Sequence, residues 1–281
     1  MKNTSKIIDG VKIAEAIKDL IVPNIFANGR RRPSLAIILV GERPDSELYV
    51  SLKEREAVRV GIDTHLYRLD NDSTEVDLLS VIDFLNKDEM VDAILLQLPL
   101  PASFNTDKMI AAIDPLKDAD GFHPQHPDYI ISPVIAAVDF IAKDYKVTGR
   151  ACVFHRSDIF GESLKNHLQK IGFMVDLLAI DDQADPRTDQ KLKDRLSAVS
   201  SQADLVVTAL GLPEFLTSDY LKKDALVIDV GIKKENGKIK GDVDFEDASK
   251  IAAGITPVPG GVGPMTIAFL FKNVLEIYYR R

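Results

Sequence analysis

Short apolar runs alternate along the chain with stretches in which apolar residues recur every three or four positions. "LAIILV" (35–40), "THLYRL" (64–69) and "DAILLQL" (92–98) have the length and the β-branched or aromatic content of strands. Between them, 45–60 and 74–87 carry helical spacing. In the first of these, Tyr49, Leu52, Lys53 and Glu56 fall on related faces. The scheme repeats with strands at "ACVFH" (151–155), "FMVDLLAI" (173–180), "ADLVVTAL" (203–210) and "ALVIDVGI" (225–232). Nearly continuous apolar strands separated by helices predict parallel sheets covered on both faces. "ISPVIAAVDFIAKDY" (131–145) predicts a bridging helix, with Ser132 as N-cap and Pro133 at the first helical position. The fold class is therefore α/β, with two parallel-sheet domains, the second a Rossmann-like unit from about residue 146.

Composition narrows the function classes. The chain has 281 residues, 46% hydrophobic and 28% charged, enough for two cores of ordinary soluble character. A net charge of −8 argues against a general nucleic-acid or acidic-membrane binder. The run Arg30-Arg31-Arg32 is a local exception, read as a solvated loop between a helix and a strand. The single cysteine, Cys152, excludes an internal disulfide and a cysteine-rich zinc site. "MKNTSKIIDG" has no apolar signal core and no stretch is long enough to span a bilayer, so a cytoplasmic protein is expected.

Four segments carry candidate chemistry. "LLQLPLP" (95–101) starts as a buried strand and ends in two prolines, each of which removes a ladder donor. Gln97 then sits at a strand's carboxyl end, where ligands of open α/β sheets bind, although a glutamine capping a carbonyl in a structural turn explains the string as well. In "GERPDSELYVSLKEREA" (41–57), where the helix begins near Asp45 or Ser46, Tyr49 and Lys53 share a helix face. A desolvated lysine there is a candidate proton donor or acceptor; a surface lysine paired with Glu54 or Glu56 is the alternative. "DPLKDADGFHP" (114–124) crowds Asp114, Lys117, Asp118 and Asp120 around Pro115 and Gly121. Its carboxylates suit a heterocycle with N–H donors, or an Asx turn and a helix cap. A metal site from Asp118, Asp120, His123 and His126 fits no standard spacing, and no metal is expected. "TPVPGGVGPMT" (256–266) holds three Gly and three Pro in eleven residues, a density that points to a fixed loop with accessible backbone N–H groups.

Taken in order, these segments resemble the bifunctional methylenetetrahydrofolate dehydrogenase/methenyltetrahydrofolate cyclohydrolase family. YVxxK is matched by Tyr49 to Lys53, QLPLP by Gln97 to Pro101, KDVDGF by Lys117 to Phe122, and PVPGGVGPMT by 257–266; "VIDVGI" (227–232) and "GDVDF" (241–245) are also family-like. The resemblance implies oxidation of 5,10-methylenetetrahydrofolate to the methenyl form with NAD(P)+, then hydrolysis to 10-formyltetrahydrofolate, in a folate cleft between the domains. It makes Lys53 the general acid/base and Gln97 its tuning partner. Tyr49 stacks on or bonds the folate, Asp120 holds the pterin, and Ser46 with Pro259, Gly260 and Gly261 lines the cleft. His155, Arg156, Ser157, Gly161, Ile232 and Thr266 are the implied nucleotide contacts. The implied domains are 1–145 plus 263–281 for folate and catalysis, and 146–262 for the nucleotide. A homodimer is implied by family habit alone.

The nucleotide half departs from the family pattern. His155 stands where the Gly-Arg-Ser turn has glycine, in "FHRSDIFGES", and Glu162-Ser163 replaces a small or basic residue followed by proline. The family's Cys-His-Ser-x-Thr segment is absent, with "AIDDQADPRT" (179–188) in its place, and Pro-Cys-Thr-Pro becomes Ile130 to Pro133, with Ile135 in place of a glycine. His155 either obstructs the phosphates or bonds to one. Arg156 suits the 2′-phosphate of NADP, whereas Asp181 and Asp182, after the second Rossmann strand, suit the free ribose of NAD. NADP is the expected cofactor, with NAD as the alternative and weaker binding than a glycine turn would give. Two other functions stay open: a cyclohydrolase with weak or lost dehydrogenase activity, and a catalytically silent folate- or nucleotide-binding protein.

Overall fold

The structure, a computed structural model, describes residues 6–26, 31–181, 186–235 and 237–281. Arg30 and Asp182 lie outside the described residues. By its contacts the chain divides into an N-terminal unit, Ala14–Pro133 with Ile267–Arg281, and a C-terminal unit of the residues through Ile13 with Val134–Thr266. Both are parallel-sheet α/β units, as the apolar pattern predicts.

The N-terminal unit holds most of α1 (Gly10–Phe26), then β1 (Ser34–Val40), α2 (Pro44–Val60), β2 (Asp63–Leu69), α3 (Glu75–Lys87), β3 (Ala93–Leu96) and α4 (Thr106–Ala111). Its sheet has the order β2-β1-β3, all parallel. All seven residues of β1 are buried, as befits a central strand covered on both faces. α2 starts on Pro44 and stops at Gly61, whose positive φ lets its N–H reach the carbonyls of Ala57 and Val58. α3 opens with a capping box between Thr74 and Asp77. The predicted strand 92–98 is shorter than expected: β3 ends at Leu96, and one further bond, from Gln97 N to Ile38 O at 2.9 Å, closes the ladder before the prolines. Beyond β3 the chain returns, and residues 117–119 lie alongside it through Ile94 N to Lys117 O and Ala119 N to Ile94 O. That pairing has no signature in the sequence.

The C-terminal unit begins with α5 (Pro133–Asp144), followed by β4 (Arg150–His155), α6 (Asp158–Lys170), β5 (Met174–Ala179), α7 (Gln190–Ser200), β6 (Leu205–Ala209) and β7 (Leu226–Asp229). A short antiparallel hairpin, β8 (Lys233–Glu235) with β9 (Lys238–Lys240), precedes α8 (Phe245–Ala248), β10 (Gly254–Ile255) and α9 (Val262–Arg280), most of which belongs to the N-terminal unit. The parallel sheet has the order β10-β7-β6-β4-β5. Strand order reverses between β4 and β6, so their carboxyl ends form the topological switch point of a doubly wound sheet. β5 is an edge strand, and its half-exposed side chains depart from the fully covered strand read from its sequence. Phe154, Phe215 and Tyr220 pack edge-on or tilted in the core beneath β4.

The units meet the chain elsewhere than at the expected boundaries of 145/146 and 262/263. Ile8 N bonds Ile255 O and Ile255 N bonds Lys6 O, which ties the N-terminal segment to β10. α5 goes with the C-terminal unit, where Asp139 faces His167 of α6 at 3.1 Å. Pro133 does open α5, but the expected cap is not made: the buried Oγ of Ser132 has no hydrogen-bond partner. The arginine run is also less open than predicted. Arg31 forms a two-pronged ion pair with buried Asp92, at 2.6 and 2.7 Å, and stacks over Tyr278.

Candidate active site

Lys53 lies in the third turn of α2, one turn beyond Tyr49. Its Nζ donates to Gln97 Oε1 at 2.7 Å, and Gln97 Nε2 donates to the carbonyl of Leu98 at 2.6 Å. Gln97 thus caps a carbonyl with its nitrogen and holds the amine with its oxygen. The Leu98–Pro99 bond is cis. The surface ion pair considered for Lys53 is not formed with Glu56, which binds Lys18 at 2.6 Å and Arg59 at 2.6 Å. Burial of the ammonium end lowers the Lys53 pKa, opposed by the charge of Asp120. Burial likewise pushes Asp120 up to about 7, against the pull of Lys53. Burial thus moves the two groups' pKa values toward each other, the amine down and the carboxyl up.

The loop that carries Asp120 is held by its neighbours. Asp118, 2% exposed, accepts from Asp120 N at 3.0 Å and from His123 N at 2.8 Å, the Asx-turn role anticipated for this carboxylate cluster. Asp114 makes a similar turn with Leu116 N at 2.9 Å. Lys117 is buried, and its Nζ donates to Leu85 O and Asp88 O, both at 2.8 Å. It satisfies carbonyls at the end of α3 and fastens the loop to that helix. The sequence showed Lys117 only as a motif member of the 114–124 segment. Asp118 and His123 are spent on these internal bonds, His123 Nε2 lying 3.2 Å from Ala111 O. Ser46 is 3% exposed, and Tyr49 and Asp120 are half-buried.

Pro259, Gly260 and Gly261 belong to the C-terminal unit. Val258–Pro259 is cis, and Gly260 has φ +102°, a conformation that glycine alone adopts without strain. Gly261 faces Gly10 at the start of α1: a Cβ on Gly10 would fall 1.8 Å from the Gly261 carbonyl oxygen. Part of the glycine density in this loop is thus backbone-to-backbone packing, a structural demand that the sequence reading set below function.

At the end of β4, His155 is 3% exposed and turned onto α6. Its Nδ1 lies 3.1 Å from Ser157 O, and a Cβ on Gly161 would stand 2.6 Å from the ring. The imidazole fills the space left by the missing side chain of Gly161. Its Nε2 is buried without a hydrogen-bond partner. Ser157 caps α6 through Phe160 N at 3.4 Å, and Arg156 is half-buried at the same turn. The amino end of α6 after β4 offers backbone N–H groups of the kind that bind a phosphate, with the carboxylate of Asp158 in the same first turn. Asp181, just past β5, is exposed. Ile232 and Thr266 are half-buried, and the Thr266 hydroxyl donates to Gly263 O at 2.7 Å.

Two buried carboxylates organise the loops beyond β6 and β7. Asp242 accepts from Thr208 Oγ1, Leu210 N and Leu212 N at 2.8, 2.6 and 2.7 Å. Asp229 accepts from Gly231 N, Asp242 N and Val243 N. A Cβ on Gly231 or Gly241 would lie 2.1 Å from one of these carboxylates. Burial raises the pKa of both, the charge of Asp242 raises that of Asp229 further, and hydrogen-bond donors oppose the rise in each. The sequence marked these aspartates only as parts of "VIDVGI" and "GDVDF"; the glycine beside each was the available signal.

Residues 8–120 match the family described as tetrahydrofolate dehydrogenase/cyclohydrolase, catalytic domain, and residues 134–281 match its NAD(P)-binding domain. The chain is 40% identical to a bifunctional protein FolD of Sulfurihydrogenibium sp. over 290 residues, and 39% identical to one of Pelagibacter ubique over 287, covering 98% of each chain in both cases. Among solved structures it resembles the bifunctional FolD enzyme of Campylobacter jejuni, with 35% identity, a TM-score of 0.86, and 98% and 99% of the two chains covered. It also resembles the FolD of Trypanosoma brucei complexed with NADP cofactor and inhibitor, with 30% identity, a TM-score of 0.87, and 98% and 97% covered. With both domains of one family matched in order along nearly the whole chain, the protein belongs to the tetrahydrofolate dehydrogenase/cyclohydrolase family.

Proposed function

We propose that the chain catalyses both reactions of its family: oxidation of 5,10-methylenetetrahydrofolate to 5,10-methenyltetrahydrofolate with NAD(P)+, and hydrolysis of the latter to 10-formyltetrahydrofolate. The observation that carries this is the Lys53–Gln97 hydrogen bond of 2.7 Å, made by a lysine whose pKa burial lowers. The methenyl substrate is cationic, so a site that favours the neutral amine suits it. Lys53 accepts a proton from the attacking water as the new carbon–oxygen bond forms. It returns that proton to the ring nitrogen as the carbon–nitrogen bond breaks, and the second water proton leaves to solvent. Gln97 steadies the amine in both states without adding charge. Asp120 holds the pterin, and its charge opposes the loss of the Lys53 proton. Tyr49 and Ser46 from α2 contact the folate.

When bound, the nicotinamide nucleotide supplies the hydride acceptor. Arg156, Ser157 and the first turn of α6 would hold its phosphates, with Ile232 and Thr266 as further contacts. NADP is the proposed form, supported by Arg156 and by the NADP complex of the Trypanosoma brucei relative. The catalytic domain is built on the N-terminal unit and the nucleotide domain on the C-terminal unit. A cytoplasmic homodimer is proposed as well; no described helix is long and apolar enough to cross a membrane, and β5 leaves one sheet edge open, with Met174 exposed on it. Lys53→Met tests the central claim. Methenyl absorbance should persist with the variant and vanish with the native enzyme, while folate binding is largely kept. Hydrolysis at the native rate by the variant rejects the mechanism.

A further inference from the structure

We propose that Asn273, on α9, is a positioning residue for the Lys53–Asp120 pair: its side-chain amide clamps the backbone beside Asp120. Asn273 is 7% exposed, and its Nδ2 donates to Ala119 O at 3.0 Å and to Ile131 O at 2.8 Å. Both amide protons are therefore spent on carbonyls from two separate segments. Ala119 immediately precedes Asp120, and its own N–H is bound to Ile94 O of β3. Ile131 lies across from Gly121, where a Cβ would come within 3.2 Å of the Ile131 carbonyl carbon and 2.9 Å of Ser132 N. Gly121 has φ +64°, so the chain turns sharply just after Asp120 and runs tight against residues 130–132.

Asp120 thus stands on a backbone fixed by β3 on one side and by the 130–132 segment on the other. Asn273 is the side chain that binds the two together. A buried donor pair of this kind is costly to lose, because two carbonyls are then left without partners in an apolar core. The charged groups facing Asp120 are Lys53 from α2 and Asp118 from its own loop. Loosening the clamp moves Asp120 relative to both and lets water reach its carboxyl. The inference rests on the roles given above to Asp120 and Lys53.

The test is a cycle of Asn273→Leu, Asp120→Asn and the double variant, assayed for cyclohydrolase turnover across pH, with Asn273→Ser as the milder replacement measured in the same way. In the native background Asn273→Leu should lower kcat by about tenfold, with a smaller change in KM, and move the acid limb of the pH profile toward the ordinary carboxylate range. In the Asp120→Asn background it should change kcat by less than about twofold, because the group it positions is already altered. Equal losses in both backgrounds, or an unmoved pH limb, overturn the inference and leave the assignment of Asp120 standing. Full activity of Asp120→Asn alone removes that assignment, and the inference with it.

Discussion

Gln97 presents an uncharged oxygen to the Lys53 ammonium at 2.7 Å while its amide nitrogen is anchored on the Leu98 carbonyl. The amide orientation is thereby set by the protein, and the lysine is met by a group whose charge does not change. Replacing Gln97 with Glu keeps the shape and adds a negative charge. That charge favours the protonated amine and raises the Lys53 pKa, so less neutral lysine is present at neutral pH. Cyclohydrolase activity of Gln97→Glu should fall by about tenfold for each unit of that rise and recover as the assay pH is increased. A pH profile identical to that of the native enzyme would show that Gln97 does not tune Lys53.

The contact of His155 with Gly161 makes a second expectation specific. Gly161→Ala places a methyl group where the imidazole lies, and overpacking of this kind costs about 1–3 kcal/mol. The double variant His155→Ala/Gly161→Ala should regain most of that loss in a denaturant melt. His155→Gly alone should weaken NADP binding, since a buried ring that orders the turn after β4 is lost. Tighter NADP binding by His155→Gly would mean that the ring obstructs the nucleotide after all.

Arg156 distinguishes the two nucleotides. Its guanidinium suits a phosphate in two-pronged fashion, and only NADP carries one on the adenosine ribose. Arg156→Ala should raise the Kd for NADP by about tenfold or more and leave that for NAD nearly unchanged, as read by titration. Equal weakening for both would place Arg156 on the shared diphosphate instead.

The Asp229–Asp242 pair links stability to pH. Burial and mutual repulsion raise these carboxyls above their ordinary range, so the folded protein holds more protons than the unfolded chain above that range. Unfolding free energy therefore declines as pH rises from the unfolded carboxylate value through the raised folded ones. Melting curves between about pH 5 and about pH 9 should show a falling Tm, and Asp229→Asn should flatten the fall because one of the repelling charges is gone. A native Tm that climbs across this window would contradict the buried pair's assignment.

The local pattern alone determined the alternation of strands and helices, the parallel α/β class of both units, and the placement of Tyr49 and Lys53 on one helix face. These are legible because unbroken apolar runs and a spacing of about 3.6 are written directly in neighbouring residues. The carboxyl end of a strand likewise marked Gln97, and ordered motifs marked the family. What the sequence left open depended on partners far apart in the chain. The choice between a surface ion pair and a Gln97 bond for Lys53 was decided by the turn after β3, which brings Gln97 within 2.7 Å of the amine. The strand-like return of 117–119 along Ile94, which brings Asp120 to Lys53, depends on a backbone pairing that any side chain would permit. The N-terminal segment joined β10 through such bonds as well, shifting the domain boundary. His155 was judged against the phosphates because it follows a strand, yet its position was settled by the empty space at Gly161, six residues on and one helical turn into α6. Spacing along a chain reports which side chains share a face; only packing decides which of two open volumes a buried ring will fill.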